Sequence, residues 1–170
     1  MKIIGPSLLD QLTAAARSHP RLRQNHNLHA GYDEPCQRLL NAVEPGSYIR
    51  PHRHLDPPRP ETFVIMRGRL GVFVFREDGH IEHTLILARD GAAHGVDLPA
   101  GAWHTVLALE TGTVFFETKP GPYLPLDDKD WAPWAPAEGS VESAGYLERL
   151  MVALEGINAT SCGELARAKD

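Results

Sequence analysis

This sequence has few cysteines, no long apolar run and no excess of basic residues, and each of these properties excludes a class of protein. The two cysteines, Cys36 and Cys162, form no Cys-X-X-Cys pair in 170 residues, so neither a disulfide scaffold nor a cysteine zinc site is supported. The apolar runs, such as 63–66 and 72–75, are far shorter than the roughly 20 residues of a membrane span. The net charge of −5 argues against a nucleic-acid or anionic-membrane partner.

The remaining composition is that of a globular protein, with 42% hydrophobic and 23% charged residues. The length suits a single domain over 1–170. The first residues show no basic start followed by an apolar stretch, so we expect no signal peptide and a cytoplasmic protein.

The middle of the chain consists of short β-type runs separated by Gly, Pro and Asp. The runs are 36–43, 47–54, 61–67, 69–76, 82–88, 94–98, 103–109 and 113–119. Strands this short, with no helical pattern between them, predict an all-β sandwich or barrel with its core at about 36–119.

The segments on either side have other patterns. Apolar spacing predicts an N-terminal helix over about 7–18 and a C-terminal helix over about 142–155. Residues 21–35 look irregular, and the proline-rich strap 120–139 permits neither a central strand nor a helix. The strap is either a lid or sugar-stacking wall, or a segment packed on the barrel or in a dimer interface.

Three histidines and a glutamate carry the strongest chemical signal. His52 and His54 are two residues apart, so in a strand their side chains share a face. Glu61 begins the next run, and His104 follows a Pro-Gly turn. Three imidazoles and one carboxylate suit a first-row transition metal. The alternative is a set of hydrogen-bonded polar residues without metal, although burying four ionisable groups without an ion is costly.

Two more residues are candidates for binding a substrate. Strand alternation places Tyr48 and Arg50 on the face of the two histidines. Arg50 either holds a carboxylate or phosphate or neutralises the surroundings of Glu61, and Tyr48 is a rim or core residue or a general acid.

The spacing of these residues resembles the first motif of the cupin superfamily, G(X)5HXH(X)3–4E(X)6G. The chain has Gly46, five residues, His52-Arg-His54, six residues to Glu61 and six more to Gly68. The spacer before the glutamate is two residues longer than in the motif, and a proline loop can absorb them.

The second cupin motif, G(X)5PXG(X)2H(X)3N, is matched in part. Pro99, Gly101 and His104 are in register, whereas Ala93 replaces the opening glycine and Ala108 the final asparagine. The resemblance implies a double-stranded β-helix (jelly-roll) barrel. It also implies one divalent transition metal (Zn, Fe, Mn or Ni) on the three histidines and the glutamate, and a homodimer.

Within the superfamily, the chain looks like the WbuC-type cupin-fold metalloproteins from about Asn25 to Pro136. The segments that carry this likeness are 37–41, 50–54, 61–63, 99–104, 121–123, 128–130 and 132–136. That family occurs among bacterial genes for O-antigen and other surface polysaccharides, so the resemblance implies a carbohydrate setting. Asn27 and His29 match the same pattern and are two further candidates for binding a substrate; they either close over the mouth of the barrel or lie on the surface.

Three functional hypotheses follow. The first is an enzyme that uses Lewis-acid metal chemistry on a sugar or nucleotide-sugar, for example an isomerase or epimerase. The second is an Fe(II)-dependent dioxygenase. The third is a non-catalytic, metal-dependent module that binds a small sugar-like or anionic ligand.

Overall fold

The described part of the chain consists of two antiparallel β-sheets flanked by two helices. A computed structural model describes residues 1–127 and 129–160, and side chains in the last helix as far as Leu154; Cys162 lies outside this part. The elements in chain order are α1 (Pro6–Ser18), β1 (Arg23–Asn27), β2 (Cys36–Val43), β3 (Glu61–Arg67), β4 (Arg69–Phe75), β5 (Ile81–Ala88), β6 (Gly95–Leu98), β7 (Trp103–Ala108), β8 (Thr113–Pro120) and α2 (Glu142–Thr160).

The strand order defines a jelly roll. One sheet has five strands in the order β1-β2-β8-β3-β6, and the other has three in the order β5-β4-β7. Every strand pair is antiparallel. The predicted all-β, double-stranded β-helix fold with a helix at each end is therefore confirmed.

Apolar side chains fill three layers around these sheets. Residues from both sheets, including Phe63, Leu70 and Val106, form the core between them. On the outer face of the three-stranded sheet, the strap and α2 pack onto a second apolar layer. Helix α1 covers the five-stranded sheet through Leu12 and Ala16. Strand β4 is buried on both faces, which explains its nearly continuous apolar sequence.

The helices and most strands lie where the sequence predicts them. Helix α1 begins at Pro6, one residue before the predicted start, because proline suits the first helical position. The turn between β4 and β5 contains Asp78-Gly79, and Gly79 has a φ of +87°, a left-handed conformation that glycine adopts without strain. No helix in the described ranges has both the length and the hydropathy needed to cross a bilayer.

Two segments differ from the prediction. Residues 47–54 form no regular strand, because Pro51 lacks the N–H group that a ladder needs. Only His52 pairs there, with His104 on one side and with Trp131 of the strap on the other. Conversely, 23–27 form an edge strand within the segment predicted to be irregular, paired along its whole length with β2.

Candidate metal centre

His52 is held at the barrel end by its backbone. Its N–H donates to the carbonyl of His104 at 3.0 Å, and the N–H of His104 donates back at 2.9 Å. The His52 Nδ1 lies 3.0 Å from the carbonyl oxygen of Arg50. Because a carbonyl only accepts, Nδ1 carries the proton, and Nε2 keeps its lone pair free for a ligand bond.

His104 is fixed in the same way. It lies in β7, its side chain is buried, and its Nδ1 is 2.9 Å from the carbonyl oxygen of Ala102. This contact again places the proton on Nδ1. The Nε2 atom is then 2.9 Å from Oε2 of Glu61.

Glu61 joins the three histidines. It is the first residue of β3 and is buried. Its Oε1 atom lies 3.1 Å from Nε2 of His54. One donor atom each from His52, His54 and Glu61 lies within 4.8 Å of the others, and His104 meets them through Glu61. We call these four residues the His–Glu cluster.

The charges in the cluster follow from its burial. Burial, together with the neighbouring His104, lowers the pKa of His52 well below its ordinary value, so this imidazole is neutral. Burial raises the pKa of Glu61, but His104, His54 and Lys119 outweigh it and hold that pKa well below the ordinary range. Burial lowers the pKa of His104, and the Glu61 carboxylate outweighs this and raises it. The cluster is a buried carboxylate that attracts positive charge.

The cluster fits a transition-metal ion on two observations. First, Glu61 Oε2 is buried without a hydrogen bond, although a histidine nitrogen lies 2.9 Å away. Two facing acceptors need a positive charge, which either a second proton on His104 or a cation supplies. Second, two ligand atoms about 2.1 Å from one ion and at right angles are about 3.0 Å apart. The Glu61 contacts of 2.9 and 3.1 Å match this spacing.

Lys119 is a member of the site that the sequence analysis missed. Its ammonium lies 2.7 Å from Glu61 Oε1, 2.8 Å from Glu117 Oε1 and 3.3 Å from His54 Nε2. Asn41 donates to the other oxygen of Glu117 at 2.7 Å. The signal was strand alternation, because Phe115, Glu117 and Lys119 share the inward face of β8.

A cavity of about 450 Å³ opens beside the cluster, between the two sheets. Its wall on β1 and β2 is rich in amide side chains, which both donate and accept hydrogen bonds. These amides are Gln24, Asn25, Asn27, Gln37 and Asn41. The sequence-predicted Asn27 thus lines the cavity, and its Oδ1 accepts from Asn25 at 2.9 Å.

His29 also lines the cavity and presents a ring nitrogen to it. Its Nδ1 lies 3.0 Å from both the backbone nitrogen and the carbonyl oxygen of Arg38. Its Nε2 is buried and has no hydrogen-bond partner in the described part of the chain. Such an orphaned polar atom is satisfied by a polar group of a ligand or by water.

Two tyrosines form an aromatic surface at the mouth of the cavity. The rings of Tyr32 and Tyr123 are 5.0 Å apart and tilted by 37°. They are 61% and 44% exposed, respectively, and both line the cavity. This exposure leaves a face of each ring available to a ligand.

The structure does not bring Tyr48 or Arg50 to the cavity. Arg50 donates to the carbonyl of Ala132 at 2.7 Å, and the Tyr48 hydroxyl donates to the carbonyl of Pro136 at 2.8 Å. Burial raises the pKa of Tyr48. Ile49, between them, lines the cavity instead. The shared face expected from strand alternation is absent because 47–54 is not a strand.

The strap packs on the barrel rather than covering the cavity. Ala132 and Ala135 are buried in the layer outside the three-stranded sheet. Trp134 contacts the rings of Phe75 and Trp103, with centroids 4.9 and 6.2 Å apart. Of the strap residues, Tyr123 alone is among those that line the cavity in the described part of the chain.

Two observations decide the fold assignment. One is the strand order, and the other is a His-X-His pair that lies with a glutamate and a third histidine at one end of the barrel. The chain has a cupin fold. A family model described as a domain of unknown function (DUF6016) matches residues 4–87, just under half of this cupin chain. Among curated proteins there is no match.

Solved structures similar to this chain include three of distant sequence. KdgF from Halomonas sp. is 15% identical, with 63% of this chain and 85% of that chain covered and a TM-score of 0.48. TT1209 from Thermus thermophilus is 21% identical, with 72% and 98% covered and a TM-score of 0.47. The Cnp3 cupin domain of Schizosaccharomyces pombe is 13% identical, with 58% and 64% covered and a TM-score of 0.45. At these TM-scores the fold assignment rests on this chain's own topology.

Proposed function

We propose that this protein is a metal-binding cupin whose His–Glu cluster holds one divalent ion of Zn, Fe, Mn or Ni. The observation that carries the proposal is Glu61 Oε2, a buried carboxylate oxygen that lies 2.9 Å from Nε2 of His104 and has no hydrogen-bond partner in the described part of the chain. His52 has the same fixed orientation and a neutral ring, so its Nε2 is ready to bind an ion.

A bound ion would supply Lewis acidity, which polarises a carbonyl or hydroxyl group of a ligand. The chain's own residues orient that ligand. His29 Nε2 forms a hydrogen bond with one of its hydroxyl groups from the cavity wall, and the amides of β1 and β2 bond further hydroxyls. The ammonium of Lys119 lies beside the cluster and attracts negative charge on the ligand.

The ligand we propose is a sugar or nucleotide-sugar, in the biosynthesis of a bacterial surface polysaccharide such as O-antigen. Hydroxyl-rich molecules suit a wall of amides, because each amide offers both donors and an acceptor. The exposed faces of Tyr32 and Tyr123 suit the apolar face of a sugar ring. The likeness of the sequence to WbuC-type proteins supports the same setting.

Elemental analysis tests the metal centre. Untagged protein purified without chelators or metal columns should contain close to one equivalent of transition metal, and His54→Ala should contain almost none. His83→Ala is the matched control, because His83 is an exposed histidine on β5 and should leave the metal content unchanged. A folded His54→Ala protein with wild-type metal content contradicts the site.

Thermal unfolding of zinc-loaded protein tests the ligand. UDP-glucose and free glucose are suitable probes, because a ligand that binds only the folded state raises the unfolding temperature. We expect a shift that Asn27→Ala and Tyr123→Ala each reduce. A shift that both variants retain in full would remove these residues from the ligand site.

An Fe(II)-dependent dioxygenase is the second candidate. His52, His54 and Glu61 form a two-histidine, one-carboxylate donor set, which is typical of non-haem Fe(II) oxygenases. Oxygen consumption by iron-loaded protein with a sugar substrate would favour this function over isomerisation. Ligand-induced stabilisation with neither turnover nor oxygen consumption would favour a non-catalytic binding module.

We also propose a homodimer, because cupin barrels commonly pair through their sheets. Light scattering of the purified protein should give twice the mass of the chain. A single-chain mass would contradict it.

A further inference from the structure

The ammonium group of Lys119 lies at Glu61 Oε1, an oxygen that the proposed metal ion would use as a ligand. Its ammonium lies 2.7 Å from Glu61 Oε1, and the same nitrogen is 3.3 Å from His54 Nε2. The Lys119 side chain is only 13% exposed. An ion that used Glu61 Oε1 and His54 Nε2 as ligands would therefore share both atoms with a buried positive charge.

We propose that Lys119 is a built-in counter-cation that a metal ion displaces from Glu61. Without metal, the ammonium neutralises the buried Glu61 carboxylate, which would otherwise be an uncompensated charge. With metal, the ammonium leaves Glu61 and stays on Glu117. Metal binding is then an exchange of cations, and this inference rests on the proposed metal centre.

Glu117 makes this exchange possible. Its Oε1 already accepts from Lys119 at 2.8 Å, and Asn41 holds its Oε2 at 2.7 Å. Because Glu117 is two residues from Lys119 on the same strand face, the ammonium keeps this ion pair while it gives up Glu61. Only one of the two ion pairs of Lys119 is lost.

The charges explain why the exchange weakens metal binding. Histidines that bind a metal ion are neutral, so in the metal-bound state the two carboxylates and Lys119 leave the site with one net negative charge. Without the lysine, two negative charges would face a divalent ion. Lys119 thus makes metal binding weaker and more easily reversed than the four ligands alone would make it.

The affinity for Zn²⁺, measured by competition with a chromogenic chelator, tests the exchange. Lys119→Met has a similar length and no charge, and we expect it to bind Zn²⁺ at least about tenfold more tightly than wild type. Without metal its unfolding temperature should fall, because two buried carboxylates lose their cation. Lys129→Met is the matched control at an exposed lysine and should bind within about twofold of wild type.

Glu117→Gln gives a result of opposite sign. It leaves Glu61 as the only carboxylate partner of Lys119 among the described residues, so the ammonium is harder to displace and Zn²⁺ binding weakens. In the Lys119→Met background this effect should shrink, because the exchange is gone. Should Lys119→Met fail to fold, Glu117→Gln alone decides the outcome.

Tighter binding by Lys119→Met and weaker binding by Glu117→Gln support the exchange. Unchanged or weaker binding by Lys119→Met overturns it, and so does unchanged or tighter binding by Glu117→Gln. A third outcome overturns the exchange and leaves the metal centre standing. In it, wild type takes up Zn²⁺, His54→Ala does not, and Lys119→Met binds Zn²⁺ as wild type does. No uptake by wild type or by Lys119→Met overturns the metal centre and the exchange with it.

Discussion

The two ends of the barrel interior are built from the same strands and filled with opposite kinds of side chain. On β3 the inward face passes from Glu61 to Phe63 and Ile65. Strand β8 runs antiparallel beside β3, and its inward face passes from Phe115 at the apolar end to Glu117 and Lys119 at the end that holds Glu61. One end is a closed apolar core, and the other is a polar cavity with a buried carboxylate.

This difference assigns separate roles to the two ends. The apolar end provides the free energy of folding, since its side chains are almost completely removed from water. The polar end holds buried donors and acceptors without partners in the described part of the chain, such as Glu61 Oε2 and His29 Nε2. Such groups reduce stability unless a ligand satisfies them. Substitutions at the two ends should therefore have separable effects.

The largest effect is expected at the apolar end. Leu87 is completely buried, and Leu87→Ala should lower the free energy of unfolding by about 2–5 kcal/mol through lost burial and a cavity. The folded fraction should keep its metal. Urea unfolding measures the loss, with Leu124→Ala as control at a leucine that is 45% exposed. Two results would contradict the separate roles of the two ends. One is an equal loss of unfolding free energy in the two variants, and the other is a folded Leu87→Ala protein that binds no metal.

The next effect is expected at the polar end. Glu61→Gln removes the charge that all the other cluster residues face, so Zn²⁺ affinity should fall by at least about 100-fold. Saturating Zn²⁺ at about 100 times Kd should stabilise wild type by about 2.7 kcal/mol and this variant hardly at all. Thermal unfolding with and without Zn²⁺ provides the measurement, and Glu82→Gln, at an exposed glutamate, serves as control. Wild-type stabilisation of Glu61→Gln would contradict its role as a ligand.

The smallest effect concerns the ion pairs that connect the strap to the start of β1. Glu138 accepts hydrogen bonds from Arg21 and Arg23 with both carboxylate oxygens. Burial raises the pKa of Glu138, but the two arginines outweigh it and lower that pKa. Because the folded pKa is depressed, the contribution is present above the unfolded value of about 4.3 and is lost as the pH falls through the folded value.

For this partly exposed group we expect a contribution of about 1 kcal/mol. The free energies of unfolding of wild type and Glu138→Gln in urea should differ by that amount at pH 7 and by less at pH 3. A difference that is the same at both pH values would mean that the carboxylate charge does not hold the strap.

The strand pattern and the four cluster residues could be predicted from sequence because both depend on local spacing. Strands β2 and β3 have the predicted bounds, since apolar alternation and flanking turns define them. The cupin-like motif spacing predicts that His52, His54, Glu61 and His104 converge, and the structure places them together.

The remaining features depend on contacts that one sequence does not display. Strand β1 has the polar sequence 23–27, and only its pairing with β2 and its position on a polar cavity make it a strand. Arg50 points to the strap because Pro51 breaks the alternation on which its predicted position depended. Lys119 could have been placed on the inward face of β8, but its contact with Glu61 required the pairing of β3 with β8.

The most direct measurement of the central claim is anomalous diffraction from crystals soaked in Zn²⁺, recorded on both sides of the zinc absorption edge. We expect one strong peak per chain, about 2.1 Å from the Nε2 atoms of the three cluster histidines and from a Glu61 oxygen. A peak at surface histidines alone, such as His83, or Lys119 still on Glu61 with no peak in the cluster, would contradict the metal centre.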